Sequence, residues 1–254
     1  MNIRLLAIAV LTFILLTGCG EDVDNTNITT GSHNVVDSQI DGGNGGIYLN
    51  ESEGLAMLID INQHNPVMLA NLIKEKGYIV EASQGNVIHK GSIRTSGKIK
   101  DSENKTQDNH LVIHYDYDTV IHHDHHEARL IGSIDEKDYV LTLNKMPNSL
   151  PLTEIAKRYD PIDHSDEWTI DEDGTLTVTD GLKGCDFSGT IKRYKGYFEL
   201  TAESSQCSML HPTYNNSTYK GIIMTVKYHA HNYLIAIMQK QDNSHVLFEQ
   251  FPID

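Results

Sequence analysis

Cations are scarce in this chain. Its 254 residues carry 20 Lys and Arg against 35 Asp and Glu, a formal charge of −15. A phosphate backbone is held by cations that displace its counterions, so this balance disfavours DNA or RNA as a partner. It weighs equally against a peripheral hold on anionic lipid. Long apolar runs are absent except at the N-terminus, which leaves one segment able to meet a bilayer. Several catalytic signatures are missing too. There is no GxSxG elbow, no P-loop, no GxGxxG between a strand and a helix, and no HExxH pair. What remains is 39% hydrophobic and 22% charged, enough apolar surface for a core and too much for global disorder.

The N-terminal run has the build of an export signal. Arg4 precedes twelve residues, Leu5 to Leu16, interrupted only by Thr12. That is too short to span a bilayer and right for the apolar region of a signal peptide. It ends in Leu16-Thr17-Gly18-Cys19, which resembles the lipobox of bacterial lipoproteins. The resemblance implies that residues 1–18 are removed and that Cys19 becomes an acylated N-terminus. It also implies a palmitate-type membrane anchor, since three acyl chains exceed the two signals that stable anchoring needs. Gly20, where inner-membrane lipoproteins of enteric-type bacteria carry Asp, implies the outer membrane, on its periplasmic or its cell-surface face. Loss of Arg4 takes the charge from −15 to −16. Residues 19–45, rich in Asn, Asp, Thr and Gly, read as a flexible tether whose r.m.s. reach is about 25–30 Å.

From residue 46 the pattern alternates with period two. Leu111, Ile113, Tyr115 and Tyr117 share one face, and so do Tyr139, Leu141 and Leu143, and Ile222, Met224, Val226 and Tyr228. Strands are expected near 46–50, 55–61, 67–73, 77–82, 86–95, 110–121, 128–135 and 138–144, and again near 167–171, 175–180, 185–194, 197–205, 220–228, 232–240 and 245–251. One helix is expected over Leu152, Ile155, Ala156 and Tyr159, stopped by Pro161. The fold class is all-β and antiparallel, as two small barrel-like lobes (46–148 and 149–254) or as one sandwich. Ala128, Leu130 and Gly132 echo Cys185, Phe187 and Gly189 at a spacing of 57 residues, and Leu55–Leu69 echoes Leu234–Phe248. An internal duplication and a chance likeness both stay open.

Cys185 and Cys207 remain once Cys19 is committed to lipid. In an exported chain such a pair is expected to be oxidised. A turn at Lys195-Gly196 pairs Tyr194 with Tyr197 and Gly189 with Ala202, which sets Cys185 opposite Gln206, one residue short of Cys207. A single bulge would correct the offset. Gly184-Cys185-Asp186-Phe187-Ser188-Gly189, the later Cys207 and the start Gly45-Gly46-Ile47-Tyr48 are similar to two-lobed all-β lipoproteins of proteobacteria whose activity is unassigned. That resemblance covers about 46–254 and implies a β fold and no reaction.

The most conspicuous chemistry is His122-His123-Asp124-His125-His126-Glu127. Imidazoles and carboxylates ligate zinc, so His122, His123, His125, His126 and Glu127 form a candidate Zn site, with His110 and His114 able to assist. The same run also reads as a solvated polar turn. His229-Ala230-His231 and the acidic turn Asp171-Glu172-Asp173 are further turns of the same kind. Together these features point to a non-catalytic binding or accessory module on the cell envelope, anchored by lipid and meeting a protein or envelope ligand. An immunity-type inhibitor of a secreted toxin, zinc scavenging through the His loop, and an unrecognised hydrolase or lipid carrier are the alternatives.

Overall fold

The computed structural model describes residues 45–81, 87–89, 92–94, 98–108, 111–115, 127–159 and 167–253. Two antiparallel sheets hold nearly all of their regular structure. The first sheet contains β1 (Gly45–Asn50), β2 (Leu55–Asp60), β3 (Val67–Asn71), β4 (Lys76–Val80), β5 (Val87–His89), β6 (Ser92–Arg94), β7 (Lys98–Asp101), β8 (Thr106–Asp108), β9 (Val112–Tyr115), β10 (Glu127–Ile134) and β11 (Lys137–Lys145). Its spatial order is β5-β6-β9-β10-β11-β1-β2-β3-β4-β7-β8, and it curls into a half-barrel. The second sheet contains β12 (Arg158–Tyr159), β13 (Glu167–Ile170), β14 (Thr175–Gly181), β15 (Cys185–Tyr194), β16 (Tyr197–Ser205), β17 (Ser217–Tyr228), β18 (His231–Lys240) and β19 (Val246–Pro252). Each of these strands pairs with the next, and the meander closes nearly into a barrel.

The apolar sequence of β1 to β4 explains how the sheets meet. These strands are buried on both faces, as strands reading LAMLID and VMLAN must be to hide every second residue twice over. One face, with Tyr48, Met57, Leu69 and Tyr78, fills the half-barrel together with Ile113, Leu130 and Leu143. The opposite face, with Leu49, Leu58, Ala70 and Ile79, packs on Ile222, Met224, Ile235, Ile237 and Phe248 of the second sheet. The alternation of β18 serves two cores in turn: Leu234, Ala236 and Met238 point into the barrel, and Ile235 and Ile237 point at the first sheet. Gly77 permits the close approach. A Cβ there would stand 2.6 Å from Phe248 Cδ2, so the ring lies across bare backbone. The two barrel-like lobes are therefore stacked back to back around a shared third core. The linking segment between them is pinned at Ser149, whose N–H reaches Gly196 O (2.8 Å) and whose Oγ accepts from Thr225 N (3.0 Å).

Three local expectations are corrected. The expected strand 86–95 is two strands, β5 and β6, paired to each other as a hairpin. The hairpin of β7 and β8 falls where the sequence shows no strand pattern, because its residues are mostly polar, and among those described only Ile99 and Asp101 are deeply buried. The expected helix is a single turn, Leu152–Ile155, after which Arg158–Tyr159 joins the sheet edge. Tertiary packing overrides the helical spacing here. Tyr159 enters the barrel core, donates its hydroxyl to Ile155 O (2.7 Å) and packs on Phe251. Phe251 also meets Trp168, and the Lys157 ammonium donates to Ile253 O, so the first and last strands are drawn together.

Candidate binding groove

The outward face of the second sheet changes character along one row. On β17 it runs Lys220, Ile222, Met224, Val226; on β18 it runs Ile235, Ile237, Gln239; on β16 it runs Tyr197, Glu199, Thr201. The register places Thr201, Lys220 and Gln239 directly opposite one another across three strands. One row further in, Glu199, Ile222, Ile237 and Phe248 are likewise aligned. The shared core ends between these two rows. Beyond it the sheets diverge and enclose a groove of about 500 Å³. Its floor is Met68 and Ile79 from the first sheet and Ile222 from the second. Its polar wall includes Thr201, Lys220, Gln239 and Asn65.

A buried polar knot closes the inner end. Asp60, 5% exposed, is the last residue of β2. Its carboxylate accepts from Lys195 Nζ (3.1 and 3.2 Å), from Tyr197 Oη (3.0 Å) and from Asn62 N (2.9 Å). Gln63 Nε2 lies within donating reach of Tyr197 Oη (2.9 Å) and Glu199 Oε1 (2.8 Å). Burial, the Asp60 charge and the hydrogen bond donated to it push the Tyr197 phenol above its ordinary range, so it is a neutral donor. The knot joins the β2–β3 turn of one sheet to the β15–β16 turn of the other. A buried carboxylate with this many donors is held in one place.

The donors of the groove wall are less well matched. Asn65 Nδ2 donates to Gln239 Oε1 (3.0 Å), yet Gln239 Nε2, buried, has no hydrogen-bond partner. Glu199 is occupied by Gln63. Lys240, at the rim, donates to Thr213 O and pairs with Asp242 at 3.3 Å. Three hydrogen bonds, from the Ser244 hydroxyl and N–H and from Lys240, pull the Asp242 carboxyl down to about 2.

The residues singled out from the sequence lie elsewhere. Cys185 and Cys207 are joined by a disulfide at the far end of β15 and β16. The ladder has the expected register, with Tyr194 opposite Tyr197 and Gly189 opposite Ala202. The offset is absorbed differently from the expected bulge in this pair: β16 ends at Ser205, and Gln206, with φ of 51°, swings the chain back. The ladder irregularity falls instead between β14 and β15, at Val178 to Gly181. Cys19, His110, His122, His123, His125 and His126 lie outside the described residues. Glu127 opens β10, exposed and opposite Asn144, and His114 is exposed on β9 opposite Arg129. His229 and Ala230 form the β17–β18 turn at positive φ, and His231 starts β18 opposite Tyr228. Asp173 Oδ1 caps its own turn by accepting from Thr175 N (2.8 Å). Among the described residues no group of three or more His, Cys, Asp or Glu is placed to hold a metal ion.

Sequence reasoning missed the groove because its walls are remote in the chain, with Asn65 and Gln239 separated by 174 positions. A signal was present all the same. Two neighbouring strands, β17 and β18, switch from apolar to polar on the same face at the same row, and β16 switches one row earlier, at Glu199. No protein-family model, curated protein or solved structure matches the chain.

Proposed function

We propose that this protein is a lipid-anchored binding module of the bacterial envelope, and that the groove at the seam of its two sheets is the binding site. The carrying observation is the groove itself: an apolar floor and a polar wall, contributed by both sheets and large enough for a small-molecule ligand. The export signal, the lipobox and the tether support the location. A disulfide between Cys185 and Cys207 fits an oxidising compartment. A tethered module needs a rigid site and a long reach, and the Asn-, Asp-, Thr- and Gly-rich composition of 19–45 fits such a tether.

Native mass spectrometry of the protein released from its own membranes tests this. The expected species lacks residues 1–18, carries acyl groups on Cys19, and holds a small ligand. Thr201→Trp, which fills the groove from an exposed wall position, should remove the ligand and leave the acyl groups. An unacylated chain, or the same ligand mass in wild type and Thr201→Trp, would contradict the proposal.

A further inference from the structure

The groove wall holds two unmatched donors, although acceptors such as the Glu199 carboxylate also line it. Lys220 is exposed on β17 and, among the described residues, faces no carboxylate partner. Directly across the ladder stands Gln239, 6% exposed, whose Oε1 is taken by Asn65 and whose Nε2 is unpartnered. Thr201 flanks Lys220 on the other side. A buried donor without a partner is costly, and a lone ammonium beside it sets the sign of what would complete the row. On β16 the carboxylates of Glu199 and Glu203 stand one row to either side of Lys220, and Glu199 is held by Gln63. Below the row the floor is hydrocarbon, from Met68, Ile79 and Ile222.

We infer that the groove binds an organic carboxylate with an apolar body. The carboxylate sits on Lys220, with the Gln239 amide and the Thr201 hydroxyl donating to it. The hydrocarbon lies against Met68, the one of the three floor residues with exposed surface. A phosphate fits this site less well, because recognition of a dianion calls for several cations or a fork of N–H groups. Here Lys220 is the unpaired ammonium, with Glu199 and Glu203 one row away on either side and a chain charge of −15 behind it. A monoanion needs one cation, and charge-assisted hydrogen bonds to it are among the stronger polar contacts. This assignment deepens the proposed binding function and rests on it for the groove being a ligand site.

The test uses the full chain in lipid nanodiscs with methyl-13C methionine, so that Met68 on the groove floor reports occupancy directly. Sodium octanoate is the probe, and octanol is its uncharged counterpart. The expected result is a saturable shift of the Met68 methyl signal with octanoate. Octanol should bind about tenfold more weakly or worse, and Lys220→Gln should weaken octanoate by a similar factor. Lys220 is exposed and unpaired, so Lys220→Gln should melt like the wild type. Gln239→Leu should also weaken octanoate, whereas Lys137→Gln, remote from the groove, should not. Equal response to octanoate and octanol, or no change in Lys220→Gln, would overturn the assignment. A ligand seen by native mass spectrometry together with no Met68 response to octanoate would leave the binding function standing and remove the carboxylate. An empty groove in both experiments would remove both.

Discussion

The two sheets solve closure differently. The second is a meander in which every strand pairs with its neighbour in sequence, and its ends are drawn together by Tyr159, Trp168 and Phe251. A disulfide fastens the β15–β16 hairpin. The first sheet skips in sequence, pairing β4 with β7 and β6 with β9, and stays a half-barrel. Its β4–β7 side is held by charge. Lys76 pairs with Asp101, fully buried, at 2.8 Å and with Asp135 at 3.5 Å. Tyr78 donates to Asp135 Oδ2 (2.7 Å), and Gln107 donates to Oδ1 (3.0 Å). Burial lowers the affinity of Lys76 for its proton, but the hydrogen bond and charge of Asp101, with Asp135 and Glu103, outweigh it and hold its pKa above the ordinary value. The barrel fills its own interior, whereas the half-barrel relies on the barrel to cover the second face of β1 to β4. The groove exists only because these two surfaces meet and then part.

Four substitutions sharpen this contrast, in descending order of effect. Phe248→Ala empties the contact over Gly77 at the shared core, and a loss of about 3–5 kcal/mol is expected in denaturant melts. A loss below about 1 kcal/mol would mean that the sheets are not interdependent there. Replacing Cys185 and Cys207 by Ala opens a link across 22 positions of the barrel, which the chain-entropy relation sets at about 3 kcal/mol. Membrane attachment through Cys19 should be unaffected, and thiol titration of the unreduced wild type should find neither of these two cysteines free.

The half-barrel should instead betray itself through pH. Burial pushes the Asp135 carboxyl up, but hydrogen bonds from Tyr78 and Gln107 and the ammonium groups of Lys76 and Lys74 outweigh it, so its pKa in the folded state is lowered. A depressed pKa contributes stability that is present above the unfolded value, about 4, and lost as pH falls through the folded value. Asp135→Asn should therefore destabilise at neutral pH and flatten the acid limb of the stability curve, with little difference from wild type at the lowest pH. An unchanged acid limb would remove Asp135 from the account. The smallest effect has the opposite sign. The Tyr219 hydroxyl is buried in the barrel without a hydrogen-bond partner, so Tyr219→Phe should be neutral or stabilising, by up to about 1 kcal/mol in thermal melts.

Most strands were legible because alternation is a local property. Ile222, Met224 and Val226 announce β17 whatever surrounds them. The register of β15 with β16 was legible as well, since the Lys195-Gly196 turn fixes it. What escaped depends on contacts between distant segments. Tyr159 obeys a helical spacing and is claimed by the barrel core. Lys98–Asp101 and Thr106–Asp108 look like loop because Asp101 draws its burial from Lys76, a partner 25 positions away. The back-to-back stacking is written in β1 to β4 as strands apolar at nearly every position, which signals two covered faces without naming the covers. The groove depends on all of these at once.

The interdependence of the sheets is the claim on which the groove rests, and native-state hydrogen exchange tests it most directly. Amides of β2 to β4 and of β17 to β19 should open with the same free energy in the wild type, and Phe248→Ala should lower both sets by the same amount. If Phe248→Ala lowers protection only in β17 to β19 and leaves β2 to β4 as they were, the shared core does not couple the sheets and the account fails.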